Sequence, residues 1–213
     1  MLQTDVAVSG QNQVAPSKTL TCEFLVYQFQ RYLANQNVEL VAKTSVGVRT
    51  DIDSARIPDV VVCSQSLWKQ LCARPGAGVL NTGEVPRLVV EVASENWRQD
   101  YILKRAEYAF INIPEYWIVD PKKERVWILT NPESEDGYDR TEVGRGQEIT
   151  SVEFSGLVLS VDEVLSPPVV EELIKEEQAR ARQLEQQVNQ ERQRSERLAA
   201  KLREMGIDPD SIE

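Results

Sequence analysis

Apolar side chains recur with helical spacing in two segments of the chain. The segment 18–34 places them three and four residues apart, which predicts an amphipathic helix. The segment 98–112 repeats that spacing and predicts a second helix. Its expected core-facing residues are Ile102, Leu103, Ala106, Ala109 and Phe110.

Short runs rich in β-branched residues predict strands. They cover 38–48, 56–63, 87–94, 115–120 and 125–130, and a last strand and turn are expected in 149–165. The glycines and prolines of 64–86 indicate a loop or a short helix. Strand, helix and strand in succession predict an α/β fold, a mixed sheet covered by helices. Four aromatic residues lie in apolar context and are expected in the core: Trp97, Tyr116, Trp117 and Trp127.

The pattern changes to heptads from Val170 onward. Position a is taken by Ile174, Ala181, Val188, Ser195 and Leu202, and position d by Val170, Glu177, Leu184, Glu191, Leu198 and Met205. Most of these positions are apolar, which predicts a coiled-coil helix ending near Gly206. The expected organisation is therefore a flexible N-terminal arm (1–16), one globular domain (17–167), the coiled-coil helix (168–206) and a tail (207–213). The apolar seam of such a long helix is expected to be buried against a second copy of the chain. We therefore expect a homodimer.

Composition limits the possible chemistry. The chain has no histidine, which excludes Ser-His-Asp triads, Cys-His dyads and most catalytic zinc sites. Its three cysteines form no CxxC pair. The net charge of -10 opposes tight nonspecific binding to nucleic acid. With neither an apolar run of membrane-spanning length nor a secretory signal, the protein is expected in the cytoplasm and away from membranes.

Two acidic residues interrupt apolar strands. Asp59 follows Pro58 at the start of a VVV run, and Glu91 lies inside LVVEVAS. A carboxylate among β-branched residues is unfavourable unless it is compensated by ionic or hydrogen-bonding partners. Carboxylates suit Mg²⁺ or Mn²⁺, so the two acids predict a metal site, with their nearest oxygens within about 5 Å of each other.

The second helix contributes a polar stripe beside this site. Asp100, Lys104 and Tyr108 are spaced four residues apart, so they share one face of the helix. Lys104 could orient the attacking water or stabilise phosphate charge, and Tyr108 could hold Lys104. Periodicity alone leaves Lys104 equally compatible with a solvated helix face, and it favours a helix cap for Asp100 and the edge of the core for Tyr108. Glu23 on the first helix could join the acids, although an exposed glutamate is the simpler interpretation.

The segments RIPDVVV, LVVEVAS and NWRQDYILKRAEYAFINIPEYWIVD together resemble the Uma-type family of restriction endonuclease-like proteins, within the PD-(D/E)xK nuclease superfamily. The resemblance covers roughly residues 13–165. It implies a restriction-endonuclease-like mixed β-sheet flanked by helices, a divalent metal cofactor, no organic cofactor, and DNA as substrate.

The resemblance also implies roles for individual residues. Asp59 corresponds to the acid of the PD element and Glu91 to the second acid, and the carbonyl of Val92 would be a third metal ligand. Ala93 stands where the superfamily has its lysine. The lysine of the second helix, Lys104, would take over that catalytic role.

Two classes of function remain open at the level of sequence. The first is a Mg²⁺-dependent endonuclease, which the presence of Asp59, Glu91 and Lys104 together favours. The second is a noncatalytic interaction protein, in which a decayed nuclease domain serves as a scaffold and the coil recruits a partner. The net acidity of the chain favours this alternative.

Overall fold

The computed structural model describes residues 16–76, 78–206 and 208. The helices are α1 (Pro16–Gln36), α2 (Gln65–Ala73), α3 (Arg105–Phe110), α4 (Val161–Leu165) and α5 (Val170–Glu204), with a π-helical segment (Gln99–Lys104) directly before α3. The strands are β1 (Leu40–Lys43), β2 (Gly47–Arg49), β3 (Ala55–Arg56), β4 (Val60–Ser64), β5 (Val79–Leu80), β6 (Leu88–Val92), β7 (Glu115–Asp120), β8 (Arg125–Ser134), β9 (Gly137–Gly144), β10 (Glu148–Thr150) and β11 (Val158–Ser160). Apart from Pro16 and Asp208, the predicted arm and tail lie outside the described residues.

A six-stranded mixed sheet forms the centre of the fold, in the order β1-β4-β6-β7-β8-β9. Only β6 and β7 run parallel, and the other neighbouring strands are antiparallel. Every residue of β6 and β7 is buried, which is the usual state of parallel strands covered on both faces. The predicted α/β architecture with a mixed sheet and helices is confirmed.

Helices cover the two faces of this sheet. On one face, α1 packs its Phe29 ring against Trp117 of β7, with ring centroids 5.3 Å apart. On the other face, Tyr108 and Ala109 of α3 join Val89 and Ile118 in one hydrophobic cluster. The long crossover from β6 to β7 runs through the π-helical segment and α3, as parallel strands require.

The predicted orientation of the second helix is wrong. Ile102, Leu103 and Phe110 are 56%, 47% and 81% exposed, whereas Tyr101 and Tyr108 are buried. The polar stripe of this helix therefore faces the sheet, and most of the apolar stripe faces solvent. Burial of the polar stripe is tolerated because its charged groups pair with one another and with the sheet.

Other departures from the predicted pattern are local. The run 38–48 is divided between β1 and β2, which belong to different sheets. The strand β9 was not predicted, because it is largely solvent-exposed and lacks alternating apolar residues. Trp97 was expected in the core but is 41% exposed, and Trp127 is only partly buried, whereas Trp117 and Tyr116 are fully buried as expected.

A buried carboxylate at the start of β7 fastens the segment after β10 to the sheet. Glu115 is fully buried and accepts hydrogen bonds from the Trp117 indole, the Ser151 hydroxyl and the backbone N–H groups of Val152 and Glu153. Four donors from two segments of the chain converge on one side chain. This is the compensation that a buried carboxylate needs.

The described residues divide into two compact units, one up to Pro168 and one from Val169. The second unit consists mainly of α5, a helix of 35 residues, none of whose side chains is buried. Its apolar side chains include Leu184, Val188 and Leu198, which are 55–66% exposed. No helix among the described residues is long and apolar enough to cross a membrane.

Candidate metal and catalytic site

Asp59 and Glu91 come from neighbouring antiparallel strands. Val60 of β4 pairs with Val90 of β6, and Asp59 and Glu91 each lie one residue beyond this pair at the same end of the two strands. The site therefore lies where β4 begins and β6 ends.

The Asp59 carboxylate is fixed against the end of β6. Its Oδ2 accepts a hydrogen bond from the backbone N–H of Val92 at 2.7 Å. The ammonium of Lys18, from α1, lies 2.9 Å from the same oxygen. The Asp59 side chain is 15% exposed, so this carboxylate lies at the solvent boundary of the site.

Glu91 lies deeper, with 1% of the residue exposed. Its Oε2 is 2.7 Å from the Lys104 ammonium, and its Oε1 accepts a hydrogen bond from the Tyr108 hydroxyl at 2.8 Å. Burial raises the pKa of Glu91 to about 7, although Lys104 opposes the rise and Asp59 adds to it. The influence of Asp59 on the pKa of Glu91 means that the two carboxyl groups lie within electrostatic range of each other.

Lys104 connects the helix to the acids. Its ammonium also lies 2.8 Å from Asp100 Oδ1, and the Lys104 side chain is 17% exposed. Burial by itself lowers the pKa of Lys104, but the Glu91 and Asp100 carboxylates outweigh this effect and raise it. The lysine is therefore cationic at neutral pH.

Two tyrosines, Tyr108 and Tyr116, complete the network of hydrogen bonds and ion pairs around Glu91 and Asp100. Burial and the neighbouring Glu91 hold the pKa of Tyr108 well above its usual range, so its hydroxyl remains a donor. The Tyr116 hydroxyl donates to the backbone carbonyl of Asp100 at 2.9 Å, where the helix begins. Asp100 is 5% exposed and pairs with Lys104. It is therefore more than the simple helix cap that periodicity favoured.

The helix that carries this network begins with the π-helical segment Gln99–Lys104. Such segments are rare and are frequently found at functional sites. Lys104, whose ammonium contacts Glu91, and Asp100, which pairs with Lys104, both belong to it.

Glu23 is not drawn into the buried network. It is exposed and lines an open cavity of about 470 Å³ together with Lys18, Cys22, Ile57 and Asp59. This cavity gives solvent access to Asp59. Burial raises the pKa of the Cys22 thiol to about 12, with a further contribution from Asp59, which keeps that thiol protonated and weakly nucleophilic.

Lys18 is the residue at this site that sequence reasoning missed. In the sequence, Lys18 has the context of an ordinary solvated lysine near the start of a helix, and it belongs to no motif or characteristic spacing. Its Nζ nevertheless donates to the carbonyl oxygen of Val92 at 3.2 Å as well as contacting Asp59. Only the fold brings these groups together, because 74 residues separate Lys18 from Val92.

The donors at the site match one class of metal ion. Among the described residues, no cluster of three or more Asp, Glu, Cys or His side chains is placed to hold a metal. Two carboxylates and one backbone carbonyl are instead available, an all-oxygen set. Mg²⁺ is usually bound by one or two carboxylates, with water and substrate phosphate completing its shell, so these residues fit Mg²⁺ or Mn²⁺ and do not fit zinc.

A solved structure supports the class of fold. The chain is similar to a putative nuclease belonging to DUF820 from Anabaena variabilis ATCC 29413, with 16% sequence identity and a TM-score of 0.54. The match covers 70% of this chain and 80% of the other. The two chains thus share a mixed α/β fold.

The family follows from a match over most of the globular unit. Residues 10–162 match the model of the Uma2 family, described as putative restriction endonucleases. This chain belongs to that family, as the resemblance in its motifs predicted, and membership supports a nuclease-like function. No curated protein matches the chain.

Proposed function

We propose that this chain is a metal-dependent endonuclease that hydrolyses DNA phosphodiester bonds. The observation that carries the proposal is the geometry around Glu91: Asp59 and Glu91 lie at the same end of neighbouring strands, and the ammonium of Lys104 is 2.7 Å from Glu91. The description of the family supports the same class of reaction.

In this proposal Asp59, Glu91 and the carbonyl of Val92 hold Mg²⁺ or Mn²⁺. When bound, such an ion supplies an activated water and neutralises charge on the phosphodiester. The chain itself fixes the ligands: the Val92 N–H holds Asp59, and the Tyr108 hydroxyl holds Glu91. Ligands that are already oriented need little rearrangement to bind a cation.

Lys104 is the proposed catalytic lysine. Its ammonium contacts Glu91 and Asp100, and all three side chains are at most 17% exposed, so a fixed positive charge is more effective here than in solution. Its place beside a proposed metal ligand allows it to hydrogen-bond the attacking water or a phosphate oxygen. Asp100 and Tyr108 act as positioning residues, because each contacts Lys104 or Glu91 within the buried network.

The alternative function is a noncatalytic scaffold built on a decayed nuclease domain. One observation favours it: each acid already has a lysine partner, Lys18 for Asp59 and Lys104 for Glu91. A site whose acids are neutralised by the chain's own cations needs no metal to be stable. The net charge of -10 also opposes a strong attraction to DNA.

Cleavage of a supercoiled plasmid separates the two functions. With Mg²⁺ or Mn²⁺ the protein should convert the plasmid to nicked and linear forms, and EDTA should abolish the conversion. The variant Asp59→Ala should behave like the EDTA sample, whereas Glu23→Gln, an exposed acid lining the same cavity, should retain cleavage. A folded wild-type protein that leaves DNA intact with both metals would reject the endonuclease and leave the scaffold.

We further propose that the protein is a homodimer to which α5 contributes. A helix of 35 residues is about 52 Å long, and its heptad seam remains exposed. The double variant Leu184→Asp/Val188→Asp places charges at d and a and should shift sedimentation at tens of micromolar from dimer to monomer. Gln186→Asp adds a charge outside the seam and should leave the dimer intact. If the wild type sediments as a monomer, the proposed dimer is wrong.

A further inference from the structure

Lys18 contacts two of the oxygen atoms that are proposed to bind the metal ion. Its Nζ is 2.9 Å from Asp59 Oδ2 and 3.2 Å from the carbonyl oxygen of Val92. These two oxygens come from different strands, and both belong to the proposed ligand set. One ammonium therefore bridges two of the three metal ligands.

The location of this lysine is otherwise unfavourable. Lys18 lies in the first turn of α1, and that turn contains no acidic residue. The N-terminal end of a helix carries partial positive charge and disfavours a cation by about 0.3–1 kcal/mol. The attraction of Asp59 and of the Val92 carbonyl is the compensating interaction in the structure.

Lys18 can also leave this position. Its side chain is 31% exposed, and it lines the open cavity beside Asp59. A lysine side chain is long and flexible, so its ammonium can move into the adjoining water while its backbone stays in the helix. Lys104, at 17% exposed and held by two carboxylates, is more tightly enclosed.

We propose that the Lys18 ammonium is a built-in competitor of the divalent cation: it occupies the Asp59 and Val92 oxygens, and a metal ion binds only when Lys18 withdraws. This inference rests on the proposed metal site. Lys18 thereby sets the metal affinity, and it stabilises the metal-free protein by neutralising Asp59. The two cations exclude each other because they need the same oxygens and repel at short range.

The experiment measures metal binding directly. Mn²⁺ is titrated into the full chain by calorimetry, and the melting temperature is recorded with Mn²⁺ and with EDTA. Lys18→Met removes the charge and keeps the length of the side chain, Lys18→Arg keeps a cation, and Lys69→Met is a control at an exposed lysine of α2.

Lys18→Met should bind Mn²⁺ at least about tenfold more tightly than the wild type, since a competing charge has been removed. The same variant should melt at a lower temperature than the wild type in EDTA, and Mn²⁺ should raise its melting temperature by more. Lys18→Arg and Lys69→Met should bind Mn²⁺ within about threefold of the wild type.

An unchanged or weaker Mn²⁺ affinity in a folded Lys18→Met protein would overturn the inference and leave the metal site standing. Absence of Mn²⁺ binding in both the wild type and Lys18→Met would overturn the proposed metal site, and the inference with it. The two failures therefore give different calorimetric results.

Discussion

Replacing Lys104 with glutamine should lower the rate of metal-dependent plasmid cleavage by about 10²–10³-fold, the usual effect of removing a group that stabilises transition-state charge. The ammonium is 2.7 Å from Glu91 Oε2 and is enclosed by protein. Mn²⁺ binding should not weaken, because a positive charge next to a proposed ligand is removed. A lower cleavage rate with an unweakened Mn²⁺ affinity would identify Lys104 as a catalytic group and not as part of the metal-binding site.

The single variant Lys104→Gln leaves the Glu91 and Asp100 carboxylates without their shared cation. An unpaired buried charge can destabilise a protein by about 3–5 kcal/mol. The double variant Lys104→Gln/Asp100→Asn removes one charge of each sign and should recover much of that stability. It should remain as slow in cleavage as Lys104→Gln. Lys69→Gln, at an exposed lysine, should cleave like the wild type, and full activity in the double variant would show that Lys104 has only a structural role.

The two acids could be predicted from the sequence because each is conspicuous in its surroundings. Glu91 stands among valines in a fully buried strand, and Asp59 directly precedes β4, whose first four residues are buried. An isolated carboxylate in such a run must have partners, whatever the fold. The placement of Asp59 near Glu91 depends on which strands pair, and this information comes from the structure.

Hydrophobic periodicity could not predict which face of the second helix packs against the sheet. That argument assumes that the apolar stripe is buried, yet Phe110 is 81% exposed while Asp100 is 5% exposed. Burial of the polar stripe depends on the pairing of Lys104 with Glu91 and Asp100, a long-range interaction in the case of Glu91. Periodicity fails where charged groups compensate each other in three dimensions.

The strand β9 and the lysine of α1 escaped prediction for related reasons. Only one residue of β9, Tyr138, is buried, so the strand is held by backbone pairing with β8 and by polar side-chain contacts such as that of Trp127 with Glu142, and it has no hydrophobic pattern. Lys18 acquires its importance only through contact with Val92, 74 residues away. Both features depend on tertiary neighbours and not on local sequence.

Glu115 has no part in the proposed chemistry, but it holds together two parts of the fold. It lies at the amino end of β7, and its fully buried carboxylate receives donors from β7 itself and from residues 151–153. Ser151, one of these donors, also accepts a hydrogen bond from the N–H of Phe154. The Phe154 ring in turn contacts Phe29 of α1 at 6.0 Å between centroids, so the carboxylate supports the packing of α1 on the sheet.

The variant Glu115→Ala should lower the free energy of unfolding by about 3 kcal/mol, because it leaves the Trp117 indole and the Ser151 hydroxyl buried without an acceptor. Urea denaturation followed by circular dichroism measures this loss. Glu142→Ala is a matched control: Glu142 also accepts from an indole, that of Trp127, but its side chain is 41% exposed. Water can replace Glu142, so its removal should lower the stability by no more than about 1 kcal/mol. Equal losses in the two variants would mean that burial of the Glu115 network adds nothing to the stability of the fold.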